Sequence, residues 1–460
     1  MGVVMPVRDR LQWSVNLNPV RLSPVPDVRA LESAAPLALD ALGNLGVQYV
    51  RVDIHWSWWM PGKDRLDEAI AEWYVDFVRA LEHRDIRVYG ILYNPPSWAT
   101  DLAHEDLDAF LEAWRTFVRD VHAKLGDRVG LWQVWNEPNN WMSHIKDDLN
   151  LFLLRPFNLG GWQVDLPVGV HWKALVGLYR VAREELPPEA LVVYNCIPSV
   201  SDVVPGGLPR WLDWLAFTDE LMQRAGSWID AIALDHYPDT WVPGVGPHDW
   251  HPLEAIHARV HDPRSTWYGK TVLIGEFGYS SLPNVEVLKQ PFRVRMFPED
   301  HSHEGQATWY REVMPTLRTV LAPRRWPHNR LHLANAYELF DGSPLVGLNA
   351  SAPDMVHLEY HFGLCRADGS PKPAFEAVRG GIREASERGN VPRPRGTGPL
   401  GLLRNGYALT RRWHTQAAPL LYQAGRLLQP RVRRHDRWIL PAGAALLLLR
   451  WWMGRENRWR

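Results

Sequence analysis

The chain has 460 residues, of which 46% are hydrophobic and 22% charged, enough for one large packed domain with an appendage. Its two cysteines, Cys196 and Cys365, exclude a disulfide framework and a thiolate zinc cluster. The first twenty residues carry Arg8, Asp9 and Arg10 and lack an apolar run of signal-peptide length, which points to a cytoplasmic chain with no processed leader.

Taken in order, short apolar runs alternate with helical patterns. The runs are Leu11–Val15, Gln48–Ile54, Ile86–Leu92, Val129–Trp135, Leu191–Cys196, Ile229–Leu234, Thr271–Ile274 and Arg330–Tyr337. None shows clean polar–apolar alternation, as expected for strands covered on both faces. Between them, Asp64–Glu82, Glu105–Lys124, Trp172–Glu185, Trp211–Gln223 and Gly305–Leu321 place apolar residues at helical spacing. Alternating strands and helices call for a parallel sheet with helical crossovers, and eight units predict a TIM (β/α)₈ barrel over residues 1–386. A doubly wound open sheet is the alternative, weakened because no glycine-rich phosphate loop follows an early strand. Residues 387–402 are rich in Pro and Gly and read as a linker to a basic tail, 403–460.

Reactive groups in such a barrel sit where the strands end. The fourth run ends Trp135-Asn136-Glu137-Pro138-Asn139, and the seventh ends Gly275-Glu276-Phe277-Gly278. Two carboxylates therefore leave the rim on opposite sides of one mouth. Glycoside hydrolysis needs such a pair: one acid protonates the leaving oxygen while the other attacks the anomeric carbon or activates water. No metal or organic cofactor is implied. His301-Ser302-His303-Glu304 lacks the spacing of a two-His zinc helix and reads as a loop ahead of a helix.

With these motifs the sequence resembles the clan A glycoside hydrolases, nearest in look to families 39 and 5, over roughly residues 10–385. The resemblance implies that Glu137 is the acid/base, that Glu276 is the nucleophile, and that anomeric configuration is retained. It also implies that Asn136 binds the sugar 2-hydroxyl and that Arg51, in Val50-Arg51-Val52-Asp53, supports the nucleophile. His236 and Tyr237, closing the sixth run, join the site, the phenol donating to Glu276. Trp98, in Tyr93-Asn94-Pro95-Pro96-Ser97-Trp98-Ala99, and Trp56 are further substrate-binding candidates. The clan's strand-eight Trp is missing: Ala336 stands where it is expected, and either Tyr337 or Phe340 replaces it or the subsite is open. The implied partner is a carbohydrate, an oligo- or polysaccharide whose sugar and linkage stay open. Two other classes stay open, a catalytically inactive glycan-binding barrel and a metal-dependent hydrolase on the same fold.

The net charge of −1 hides an asymmetry, because Val391 to Arg460 contains fourteen Arg and only two acids, Asp436 and Glu456. That is +12, leaving −13 for residues 1–390. Within it, Trp438 to Leu449 is apolar, and Trp and Arg flank it. Two readings stay open: an interfacial helix making peripheral membrane contact, or an extension packed on an acidic barrel surface. The run is shorter than the roughly 20 residues of a membrane span. No nucleic-acid motif accompanies the charge.

Overall fold

The computed structural model describes residues 10–140, 153–154, 169–198, 213–240, 246–281, 301–342 and 360–388. Eight parallel strands close into a barrel: β1 (Gln12–Leu17), β2 (Tyr49–His55), β3 (Arg87–Tyr93), β4 (Leu131–Val134), β5 (Leu191–Cys196), β6 (Ala231–Asp235), β7 (Thr271–Phe277) and β8 (Leu333–Ala336). Each hydrogen-bonds to its sequence neighbours, and β1 pairs with β8 to complete the ring. The TIM barrel expected from the sequence is the observed fold. A separate antiparallel pair, Leu153–Leu154 with Gly169–Val170, lies in the β4–helix connection.

The strands read as unbroken apolar runs because they are buried on both faces. Inward residues such as Tyr49, Tyr89, Leu131, Val193, Ala233 and Leu273 form their own small core. Outward residues join the larger layer beneath the helices. Those helices are α1 (Val28–Leu45), α2 (Glu68–Glu82), α3 (Ser97–Glu105), α4 (Leu107–Leu125), α5 (Trp172–Glu185), α6 (Trp214–Ala225), α7 (His251–Val260), α8 (His303–Val320) and α9 (Pro373–Arg388). The sequence pattern joined α3's end to α4. Asp106 separates them, its carboxylate accepting from Ala109 N at 3.0 Å as the N-cap of α4. Ser302 caps α8 in the same way, accepting from Gly305 N at 3.0 Å, so His301-Ser302-His303-Glu304 is a helix entry.

Strand β7 carries one irregularity that matters for the site. Its register against β6 runs Leu234↔Ile274 and then Asp235↔Glu276, so one extra residue, Gly275, stands on β7. Against β8 the register shifts over the same stretch, from Ala334↔Ile274 to Ala336↔Phe277. Such a bulge re-aims the side chains that follow it.

Helix α9 extends two residues into the segment expected as a linker; the remainder of 387–402 and the whole tail lie outside the described residues. Among the described residues no helix is long and apolar enough to cross a membrane.

Candidate active site

Strand parity decides what faces the mouth. On β2, Tyr49 lies in the inner core, so Arg51, Asp53 and His55 share its side. The Arg51 guanidinium is 1% exposed. Its Nε and Nη2 donate to Gln133 Oε1 at 3.2 and 3.0 Å, and Nη2 also donates to Asn136 Oδ1 at 3.0 Å. Nη1 donates to Asn16 Oδ1 at 2.9 Å and to Glu276 Oε1. These bonds use all five guanidinium N–H groups. Burial alone would lower the Arg51 pKa, but the field of the acidic neighbours, Glu276 foremost, carries it above its ordinary value.

Glu276 is held at both oxygens, Oε1 by Arg51 and Oε2 by the phenol of Tyr237. Burial pushes the Tyr237 hydroxyl well up, so it is a neutral donor. The Tyr237 ring meets Tyr337 and Phe362 edge-on at 6.0 and 5.4 Å. Tyr337, half-buried, therefore stands beside the phenol that donates to Glu276, while Ala336 is 2% exposed in the barrel wall.

At the end of β4, Trp135 and Glu137 adopt left-handed backbone conformations, φ 66° and 40°. Side chains rarely adopt that region, and it recurs where a site dictates the backbone. The kink is fixed by Asn195 on β5, whose Oδ1 accepts from Glu137 N at 2.8 Å. The Glu137 carboxylate accepts from Asn140 Nδ2 at 2.6 Å. Asn136 Oδ1 accepts from Arg51, Gln133 and Asn195, at 3.0, 3.1 and 3.1 Å. Three donors on one atom settle the amide's orientation and turn its NH₂ the other way.

A third carboxyl stands with the pair. Oxygens of Glu137, Asp235 and Glu276 lie within 4.8 Å of one another. Asp235 is fully buried at the end of β6; Asn195 Nδ2 donates to its Oδ2 at 2.6 Å. Burial, then Glu276 and Glu137, push its pKa well above the carboxylate range against the opposing pull of Arg51 and the Asn195 bond. These three oxygens are also the grouping, among the described residues, with the spacing of a metal cage. Arg51 already brings a positive charge there, and with Tyr237 it takes both oxygens of Glu276.

Two expected site residues turn away. His236 is 1% exposed, shares its Nε2 hydrogen bond with Asp249 O at 2.7 Å and meets the Trp250 ring edge-on. Parity sends it to the helix layer because Asp235 and Tyr237 take the inward positions. Trp56 is fully buried, stacked on Phe117 of α4 at 5.4 Å and against Trp114 at 5.3 Å, so it is core. Trp98 is half-buried, its indole N–H directed to Met60 O at 3.3 Å. The residues missed by the sequence reading are Asp235, Asn195, Gln133 and Asn16. Each is a polar inward position near the end of an otherwise apolar strand, and that is the signal that could have found them.

Comparison places the fold among known barrels. No protein-family model and no curated protein matches the sequence. GH5_18 from Streptomyces cattleya, solved in complex with GlcNAc, superposes with a TM-score of 0.56 at 16% identity, over 84% of this chain and 83% of that one. The exo-beta-1,4-mannosidase Op5Man5 from Opitutaceae bacterium strain TAV5 gives a TM-score of 0.53 at 17% identity, covering 85% of this chain and 64% of that one. A family 39 glycoside hydrolase from Bacteroides cellulosilyticus WH2 gives 0.49 at 17% identity, over 81% of this chain and 64% of that one. The chain thus spans under two thirds of two of these relatives. At such identities the shared property is the fold, a closed (β/α)₈ barrel.

Proposed function

We propose that the protein is a retaining glycoside hydrolase that cleaves O-glycosidic bonds of an oligo- or polysaccharide by double displacement. The observation that carries this reading is the facing pair, Glu137 and Glu276, whose nearest oxygens lie within 4.8 Å. Retention calls for carboxyls about 5–5.5 Å apart, whereas inversion through an interposed water calls for roughly 6.5–9.5 Å. Glu276, oriented by Arg51 and Tyr237, attacks the anomeric carbon. Glu137 protonates the leaving oxygen, then takes a proton from the water that releases the sugar. The fixed NH₂ of Asn136 donates to a sugar hydroxyl, and Tyr337 offers a ring face beside the nucleophile. The neighbouring barrels include the mannosidase named above, which favours a hydrolase over a pure glycan-binding barrel.

The test is a panel of aryl glycosides and polysaccharides with proton NMR of the first product. Retained configuration is expected, and Glu276→Ala abolishes turnover while leaving the fold intact. Glu137→Ala slows poor leaving groups far more than good ones, because only poor ones need protonation. Inverted product, or wild-type turnover in Glu276→Ala, sinks the assignment. If no sugar is cleaved but one binds, the barrel is a glycan-binding protein. Activity lost to a chelator would instead mark a metal-dependent hydrolase.

A further inference from the structure

We propose that Asp235 is a positioning residue that works as a neutral acid. It keeps its proton while Glu137 and Glu276 react, and it clamps Asn195 without adding a third negative charge to the mouth. The inference rests on the glycosidase reading for its catalytic consequence, but its geometry stands apart from it.

Three carboxyls converge within 4.8 Å, and the one guanidinium among them donates to Glu276 alone of the three. All five N–H groups of Arg51 are committed, to Glu276, Asn16, Gln133 and Asn136, so none reaches Asp235. Asp235 has no exposed surface. Its Oδ2 accepts from Asn195, while its Oδ1 is buried without a hydrogen-bond partner among the described residues. An ionised Oδ1 in that setting would be a desolvated oxygen with no donor of its own among the described residues, beside two further carboxyls and out of hydrogen-bond reach of Arg51, so the proton belongs on Oδ1. The other titratable groups that feel Asp235 bring no positive charge. They are the phenols of Tyr89, Tyr194 and Tyr237 and the thiol of Cys196, all raised by burial and therefore neutral.

The room for this acid is built in. A Cβ on Gly275 would collide with Asp235 Oδ1 and come within 2.9 Å of Ala233 Cβ. The clamp then runs outward. Asp235 Oδ2 orients the Asn195 amide; Asn195 Oδ1 holds the Glu137 backbone, and Asn195 Nδ2 also reaches Asn136 Oδ1. Only one proton is transferred in each chemical step, by Glu137. Asp235 forms no bond to substrate.

The experiment compares Asp235→Asn with Asp235→Ala. The Asn side chain copies a neutral acid, keeping an oxygen for Asn195 and placing NH₂ where the O–H stood. It should hold kcat/KM on an aryl glycoside within about threefold and leave the basic limb of the pH–rate profile in place. Asp235→Ala releases Asn195 and should cost about tenfold or more in kcat, again with the basic limb unmoved. A drop of about one pH unit or more in the basic limb of Asp235→Asn would mean that an anion had been removed from beside Glu137, and would overturn the proposal. Infrared spectroscopy decides the point without turnover. Because Asp53 is also partly protonated near pH 7, the background is Glu137→Gln with Asp53→Asn, which at neutral pH should keep a carboxylic-acid C=O band that vanishes on adding Asp235→Asn. No such band in that background also overturns the proposal, even if Asp235→Asn does not fold. A panel with no cleaved glycoside sinks the glycosidase reading alone, and the infrared result still stands or falls by itself.

Discussion

Tyr237→Phe isolates one bond of Glu276, the proposed nucleophile. The phenol is the donor to Glu276 Oε2, while Arg51 holds Oε1. Phenylalanine keeps the ring against Tyr337 and Phe362, so the packing survives and the carboxylate keeps its counter-ion. What is lost is one hydrogen bond to a charged group, worth about 1.5–3 kcal/mol. At about 1.4 kcal/mol per decade, kcat/KM falls roughly 10–150-fold. Steady-state kinetics on an activated aryl glycoside measures it, with the thermal midpoint as the control. If the whole bond is lost to stability the midpoint falls by about 3–12 °C, at about 2–4 °C per kcal/mol, and the barrel stays folded at the assay temperature. Replacing Arg51 by Leu makes the contrast, because it strands a buried carboxylate at a cost of about 3–5 kcal/mol and lowers stability as well as rate. Wild-type kinetics in Tyr237→Phe would refute the role given to the phenol.

Four further outcomes follow from the same structure. Burial holds the His55 pKa down at about 3, between Asn18 and Asn94, so the imidazole contributes stability that is present above about pH 6.5 and lost as pH falls toward 3. His55→Asn should flatten that acid-side loss, by up to about 1.4 kcal/mol for each pH unit crossed, in urea titrations at several pH values. Burial pushes Asp53 up to about 7, so its contribution is most favourable below its unfolded value of 3.8 and is lost as pH rises through 7. Asp53→Asn should therefore gain thermal stability relative to wild type at pH 8, by a few degrees, and not at pH 4. Gly275→Ala overfills the contact with Asp235 and Ala233 and should cost about 1–3 kcal/mol in denaturant unfolding, with a larger loss of rate. Deleting residues 391–460 should leave hydrolysis intact and reduce flotation with anionic liposomes, because that segment carries +12; equal flotation would make it a packing element.

The fold was legible because a closed parallel barrel buries both faces of every strand, and unbroken runs such as Leu191–Cys196 announce that directly. The two facing carboxylates, Glu137 and Glu276, were legible as a pair because each closes such a run. What the sequence reading misassigned it misassigned by parity. It chose His236 by residue type, although the inward Ala231 and Ala233 two residues apart on β6 put Asp235 and Tyr237 at the mouth. Trp56 fell to the same cause: it follows inward His55 and joins the aromatic layer beneath α4. Which parity faces inward is a tertiary property, set by closure and tilt of the ring. Helix α1 was not among the segments picked out by spacing; it is continuous over Val28–Leu45 with Pro36 inside it.

The extra residue on β7 gives the strand end a frame, in the sense that a reading frame has one. Upstream of Gly275, odd-numbered Leu273 faces inward; downstream, even-numbered Glu276 does. The insertion lets the inward positions fall at 273 and 276, three residues apart; a regular strand that kept all its residues would put Gly275 opposite Asp235 and turn Glu276 toward the helices. The position of this proposed nucleophile is therefore stored in a count as much as in a side chain. A copy of β7 grafted into another barrel with its residues intact but its bulge straightened would arrive out of frame. Two sheet neighbours, β6 and β8, shift register over the same stretch and so keep that frame from slipping.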